Sequence, residues 1–106
     1  MRMILSFICF LFLTHTADAT SFSAPVEVTA TTTSTQVMAA NGFRSYLLIV
    51  NSGPKDIIVK FGSAQTANEG VIVPAGGVYE PNLAPSNTIW MKTTSSTSAV
   101  TLIQGQ

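Results

Sequence analysis

Tyr46-Leu47-Leu48-Ile49-Val50, then Asn51-Ser52-Gly53-Pro54-Lys55-Asp56, then Ile57-Ile58-Val59-Lys60-Phe61-Gly62: the reading of the fold turns on this stretch. Its two flanking runs are β-branched, aromatic and large apolar residues that suit a pleated, half-buried surface, and the Asn, Gly, Pro and Asp between them oppose strand continuation. The segment from Arg44 to Gly62 is therefore expected to form a β-hairpin. In its first strand both faces are apolar, Tyr46, Leu48 and Val50 on one and Leu47 and Ile49 on the other, which places the strand inside a sheet. A small chain has one core. The second apolar face must be covered by other elements of the fold or by a partner chain.

The same alternation of strand runs and turn residues extends in both directions. Upstream, Val26 to Thr31 alternates as a strand, the Ser/Thr tract Thr31 to Gln36 reads as a loop or an edge strand, and Gln36 to Ala40 is a short apolar segment before the turn signal Asn41-Gly42. Downstream, Gly62 to Asn68 is a polar loop, and Val71 to Val73 and Val78 to Glu80 flank the turn Pro74-Ala75-Gly76-Gly77. Two prolines keep Pro81 to Asn87 out of any sheet interior. Thr88 to Thr94 and Ala99 to Ile103 complete a second expected hairpin across Ser95 to Ser98. This spacing predicts an all-β domain, a small antiparallel β-sandwich or jelly-roll-like barrel of about seven strands over residues 20–106.

Composition sets the surface apart. Of 106 residues, 46% are apolar, enough for a globular core, but only 9% are charged, against roughly 25% in an ordinary soluble domain. Disordered chains lack large apolar residues, so disorder does not explain the deficit. A surface of Ser, Thr, Asn and Gln, or one hidden in an assembly, does. The formal net charge is zero, with acids and bases scattered singly, so nothing would concentrate a nucleic acid.

Residues 1–19 read as a signal peptide preceding the domain: Arg2 as the positive start, Met3 to Leu13 as an apolar helical segment, and Ala17-Asp18-Ala19 as a small-x-small cleavage site before Thr20. An apolar run of about 11 residues is well short of the ~20 needed to cross a bilayer. No lipobox precedes Cys9. Cleavage would remove Cys9 and His15, the one Cys and one His of the chain, leaving neither disulfide, thiol nucleophile, imidazole base, nor Cys- or His-ligated metal. A domain of this size buries roughly 60 to 65% of its unfolded surface, so self-association is energetically reasonable.

The remaining residues point away from catalysis and cofactors. Glu27, Asp56, Glu69 and Glu80 fall on separate turns or strand ends, whereas a glycosidase needs two carboxylates facing each other across about 5 to 9 Å. No Asp/Asn-rich loop has calcium-binding spacing. Gly76-Gly77 lacks the Lys-Ser/Thr ending and following helix of a phosphate loop, so its glycines are assigned to the positive φ of a turn. Arg44 is expected as a partly exposed cap on a sheet end. Trp90 shares a face with Thr88, Lys92 and Thr94 while Ile89 and Met91 face the core; core packing, a subunit contact, and a sugar platform with Tyr46 and Tyr79 are the three readings open to it.

The pattern Arg44-x-x-Leu47-x-Ile49-x-Asn51-x-Gly53, then Ile58-x-Lys60-Phe61-Gly62, Val73-Pro74-Ala75-Gly76-Gly77 and Thr88-Ile89-Trp90-Met91-Lys92 resembles small β-sandwich structural proteins of tailed-phage virions. The resemblance covers most of residues 20–106. It implies a head-decoration, fibre or tail-associated subunit, a homo-oligomer with a trimer favoured, contacts with other virion proteins, and localisation in the virion. It carries no site residues. A signal-like start departs from it, since such subunits assemble in the host cytoplasm; a misassigned start, a virion with a membrane, or a bacterial domain exported to the periplasm or beyond would each reconcile the two. The expectation is a non-enzymatic subunit with Tyr46, Leu47, Leu48, Ile49 and Trp90 as its subunit interface, and the alternative is a secreted carbohydrate-binding or adhesion module.

Overall fold

The computed structural model describes residues 21–106. The signal reading of residues 1–19, with its apolar helix and cleavage before Thr20, lies outside the described residues. Eight strands follow one another: β1 (Val26–Ala30), β2 (Thr35–Met38), β3 (Tyr46–Asn51), β4 (Ile57–Phe61), β5 (Val71–Val73), β6 (Val78–Tyr79), β7 (Ile89–Thr93) and β8 (Ser98–Gly105). They form two four-stranded antiparallel sheets, sheet A in the order β1-β8-β3-β6 and sheet B in the order β2-β7-β4-β5. Eight strands in this double-sheet arrangement are a jelly roll. The expected class holds, with one strand more than anticipated because part of the Ser/Thr tract joins the following apolar residues as β2.

The pairing within that class differs from expectation. β3 and β4 do not form a hairpin: β3 lies between β8 and β6 in sheet A, and β4 between β7 and β5 in sheet B. β7 and β8 likewise part into opposite sheets. Among the described strands, β4 and β5 are the one consecutive pair hydrogen-bonded to each other. The cause lies at the connections. Two packed sheets stand about 10 Å apart, and the five residues from Ser52 to Asp56 bridge that gap instead of folding β4 back beside β3.

Asn51 holds this crossing. Its side chain is fully buried; Nδ2 donates to the carbonyls of Lys55 (2.7 Å), Val73 (3.0 Å) and Pro74 (3.2 Å), and Oδ1 accepts from Ser98 Oγ (2.7 Å). One side chain thereby ties the β3–β4, β5–β6 and β7–β8 connections together at one end of the sandwich. Gly53 is required there because any Cβ would collide with Ser98 Oγ and the Ala99 nitrogen. Gly76 takes the expected positive φ, 75°, in the β5–β6 turn, whereas Gly77 does not take one; its lack of a Cβ leaves room for Pro74.

Between the sheets lie Leu47 and Ile49 from β3, Ile57 and Val59 from β4, Val73, Ile89 and Met91, Val100 and Leu102, with Ala30 and Met38 closing the sides. Alternation puts every second residue of the central strands here. On β4 the next residue, Ile58, points outward yet is 3% exposed. The β4–β5 loop is tied to β4 at this residue: Gln65 Nε2 donates to the Ile58 carbonyl (2.9 Å), Ser34 Oγ donates to Gln65 Oε1, and the Gln65 nitrogen donates to Ser34 Oγ (3.0 Å).

Candidate functional site: the outer face of sheet A

Alternation turns Tyr46, Leu48 and Val50 of β3 away from the core, beside Ala99, Thr101 and Ile103 of β8. The register sets out three rungs across the sheet. Glu27, Thr101, Val50 and Val78 form the first, Leu48 and Ile103 the second, and Tyr46, Gly105 and Phe22 the third. Phe22 meets Tyr46 edge-on at 5.5 Å between ring centroids. Leu48, Val50 and Ile103 are half-buried by one another, while Val78 and Phe22 are 59% and 58% exposed. No element of the described chain covers this apolar field. Single exposed apolar residues are ordinary on a surface, whereas contiguous apolar sets are the kind of surface that contact sites use.

The border of the field is acidic. Glu27 lies at the β1 edge, and Glu80, just after β6, accepts a hydrogen bond from the Tyr46 hydroxyl. That bond, to a carboxylate, holds the Tyr46 phenol above its ordinary value of 10.0. Beside Glu27 a shallow hollow of about 400 Å³ is lined by Thr29, Ser52, Ala99 and Thr101 as well as the Glu27 side chain. Its polar groups are a carboxylate and three hydroxyls, so it offers acceptors to a cation.

Of the expected interface residues, the structure brings Tyr46 and Leu48 onto this face. Leu47 and Ile49 are corrected out of it: both are 0% exposed in the chain's own core and reach no partner. Trp90 lies on the opposite outer face, that of sheet B, half-buried between Gln36 and Lys60, with Nε1 donating to Thr88 Oγ (3.1 Å). The three-ring sugar platform does not assemble, because Tyr79 packs against the core near Phe61 and Tyr46 and Trp90 sit on opposite sides of the sandwich. The reading of the residues missed Phe22, Val78 and Ile103; strand alternation could have placed Ile103, but Phe22 is placed by its bridge to Gly105, far along the chain.

Arg44 is not the partly exposed cap expected of it. It is 6% exposed, with Nε on Gln104 Oε1 (2.9 Å), Nη1 on the carbonyls of Pro85 and Asn87 (3.0 Å to the latter) and Nη2 on that of Ala39 (2.8 Å). Every partner is neutral, and desolvation lowers its pKa. It serves the opposite end of the sandwich as Asn51 serves its own. No group of three metal-ligating side chains occurs among the described residues.

No protein-family model matches the sequence, and no curated protein matches it either. Similar folds occur among solved structures. A subunit of Bacillus endospore appendages, which form disulfide-linked pili, aligns with a TM-score of 0.55 at 13% identity over 81% of this chain and 85% of that one. A de novo designed double-stranded β-helix aligns with a TM-score of 0.47 at 16% identity over 79% of this chain and all of the other.

Proposed function

We propose that this chain is a non-enzymatic structural subunit that works by packing against further copies of itself in a fibre or particle, with a phage virion as its setting. The observation that carries the proposal is the uncovered field of Leu48, Val50, Val78 and Ile103 on sheet A, flanked by the Phe22–Tyr46 pair. Burying such a field stabilises an assembly by roughly 25 cal/mol per Å² of apolar surface. The low charge content adds support, since a surface destined for contact does not need it. The sequence pattern supports a head-decoration, fibre or tail-associated role. The similar fold of the Bacillus endospore appendage protein, whose appendages form pili, supports a fibre-forming role. Residues 21–106 contain no cysteine, so packing of this sandwich would be non-covalent.

Light scattering across a concentration series, with electron microscopy of the concentrated protein, tests the proposal. Wild type is expected to associate, and Leu48→Asp, which places a charge in the centre of the field without touching the core, is expected to dissociate it. A wild-type chain that stays monomeric at high concentration overturns the proposal.

A further inference from the structure

The two outer faces of the sandwich differ in charge as well as shape. Sheet A carries Glu27 and is bordered by Glu80, and no Lys or Arg among the described residues lies on it. Sheet B carries Lys60 and Lys92. Glu69 sits 2.7 Å from Lys60 and offsets it, whereas Lys92 has no ion-pair partner among the described residues. Sheet B also presents apolar surface, with Ile72 65% exposed on β5 and Trp90 half-buried on β7. One face is apolar with an acidic border and the other is apolar with a free cation.

From this complementarity we infer that the surface covering sheet A is sheet B of a second copy of this chain, so that copies stack face to back. The inference rests on the self-association proposed above and names its geometry. Trp90 and Lys92 are two residues apart on one strand, about 7 Å. On sheet A, Ile103 is the diagonal neighbour of Glu27 across the β1–β8 pair, at about 7 to 8 Å. Lys92 can therefore meet Glu27 in the hollow lined by Thr29, Ser52 and Thr101 while Trp90 lies on Ile103 and Leu48. A symmetric contact between two A faces would oppose carboxylates to an apolar field with no cation on either side. Face-to-back contact uses two different surfaces, and such heterologous contacts propagate until a rotation closes them. Because the outer faces of a sandwich point in opposite directions, each added copy continues the line. The product is an open array instead of a closed trimer.

Charge exchange tests this in the full chain, read by light scattering and electron microscopy. Glu27→Lys and Lys92→Glu are both surface changes, and circular dichroism establishes that each variant is folded. Each alone is expected to weaken association by roughly tenfold or more, as truncated or reversed charge pairs do. An equimolar mixture of the two is expected to assemble again, because each contact then joins opposite charges, and the double variant is expected to recover on its own. If Leu48→Asp dissociates the assembly while Lys92→Glu leaves it intact, sheet A meets something other than sheet B. That result overturns the inference and leaves the proposed function standing. Failure of the mixture to recover also overturns it, and a monomeric wild type overturns both.

Discussion

Two buried polar residues, Asn51 and Arg44, hold the ends of the sandwich, and each can be tested by a change of chemistry at nearly constant shape. Asn51 directs its amide nitrogen at three carbonyl oxygens. Asn51→Asp replaces that donor with a second carboxylate oxygen, so the three carbonyls lose their partner and face a buried negative charge. The expected cost exceeds that of Asn51→Ala and is about 3 kcal/mol or more by urea denaturation, since each unsatisfied buried group costs about 1 to 3 kcal/mol. At the other end, Arg44 spreads its donors over four acceptors on three segments of chain. A lysine ammonium at the end of a flexible stem cannot span that fork. Arg44→Lys is expected to destabilise the fold by about 2 kcal/mol, and an unchanged denaturation midpoint would remove Arg44 from this role.

Among elements, β3 was legible as a central strand because both of its faces are apolar, and it does lie between β8 and β6. Which face turns inward was not legible from Leu47, Leu48, Ile49 and Val50, since all four are apolar. Asn51 decides it: its side chain shares the Leu47 and Ile49 face and is needed inside to receive the loops. The side of Trp90 was legible because Lys92 shares its face while Ile89 and Met91 share the other. The hairpin assignment for β3 and β4 failed for a general reason. Turn residues mark where a strand stops, but not whether the next one returns beside it or crosses to the facing sheet, and the contacts that settle this, such as Ser98 on Asn51, come from residues far along the chain.

The β4–β5 loop is the element with a pH signature. Glu69 accepts from Lys60 Nζ (2.7 Å) and from the Thr66 nitrogen (3.0 Å); with Lys60 as the larger cause, its pKa falls from 4.5 to about 2. A depressed carboxylate pKa stabilises the fold above the unfolded value and loses that contribution as pH falls through the folded one. The loop is therefore expected to loosen between about pH 4.5 and pH 2, releasing Gln65 from the Ile58 carbonyl. Hydrogen exchange at the Gln65 and Thr66 amides across that range measures it. Glu69→Gln should abolish the acid dependence, and exchange that rises equally in the variant would show that some other group controls the loop.

At the scale of the whole molecule, the order of the strands sets the cost of folding. β1 pairs with β8 from Val26 opposite Leu102 to Ala30 opposite Ser98, so an edge of sheet A forms only after nearly the whole described chain has been drawn together. Non-local pairing of this kind slows folding, because loop-closure entropy is lost before the contacts form. The same pairing brings Ser21 and Gln106 side by side, hydrogen-bonded in both directions at 3.2 and 2.8 Å. A circular permutant can use this. Joining Gln106 to Ser21 through Asn-Gly, with new ends opened beside Leu83, which is 89% exposed, turns the farthest pairing into a local hairpin. Closing a few residues instead of about 70 spares roughly four doublings of loop length, about 2 kcal/mol. If β1–β8 pairing is partly formed in the transition state, the permutant should refold roughly tenfold faster in stopped-flow experiments while unfolding at a similar rate. An unchanged refolding rate with slower unfolding, so that the gain in stability appears in unfolding alone, would place that pairing after the transition state, so that a nucleus elsewhere, in the more local β4–β5 pair, sets the speed.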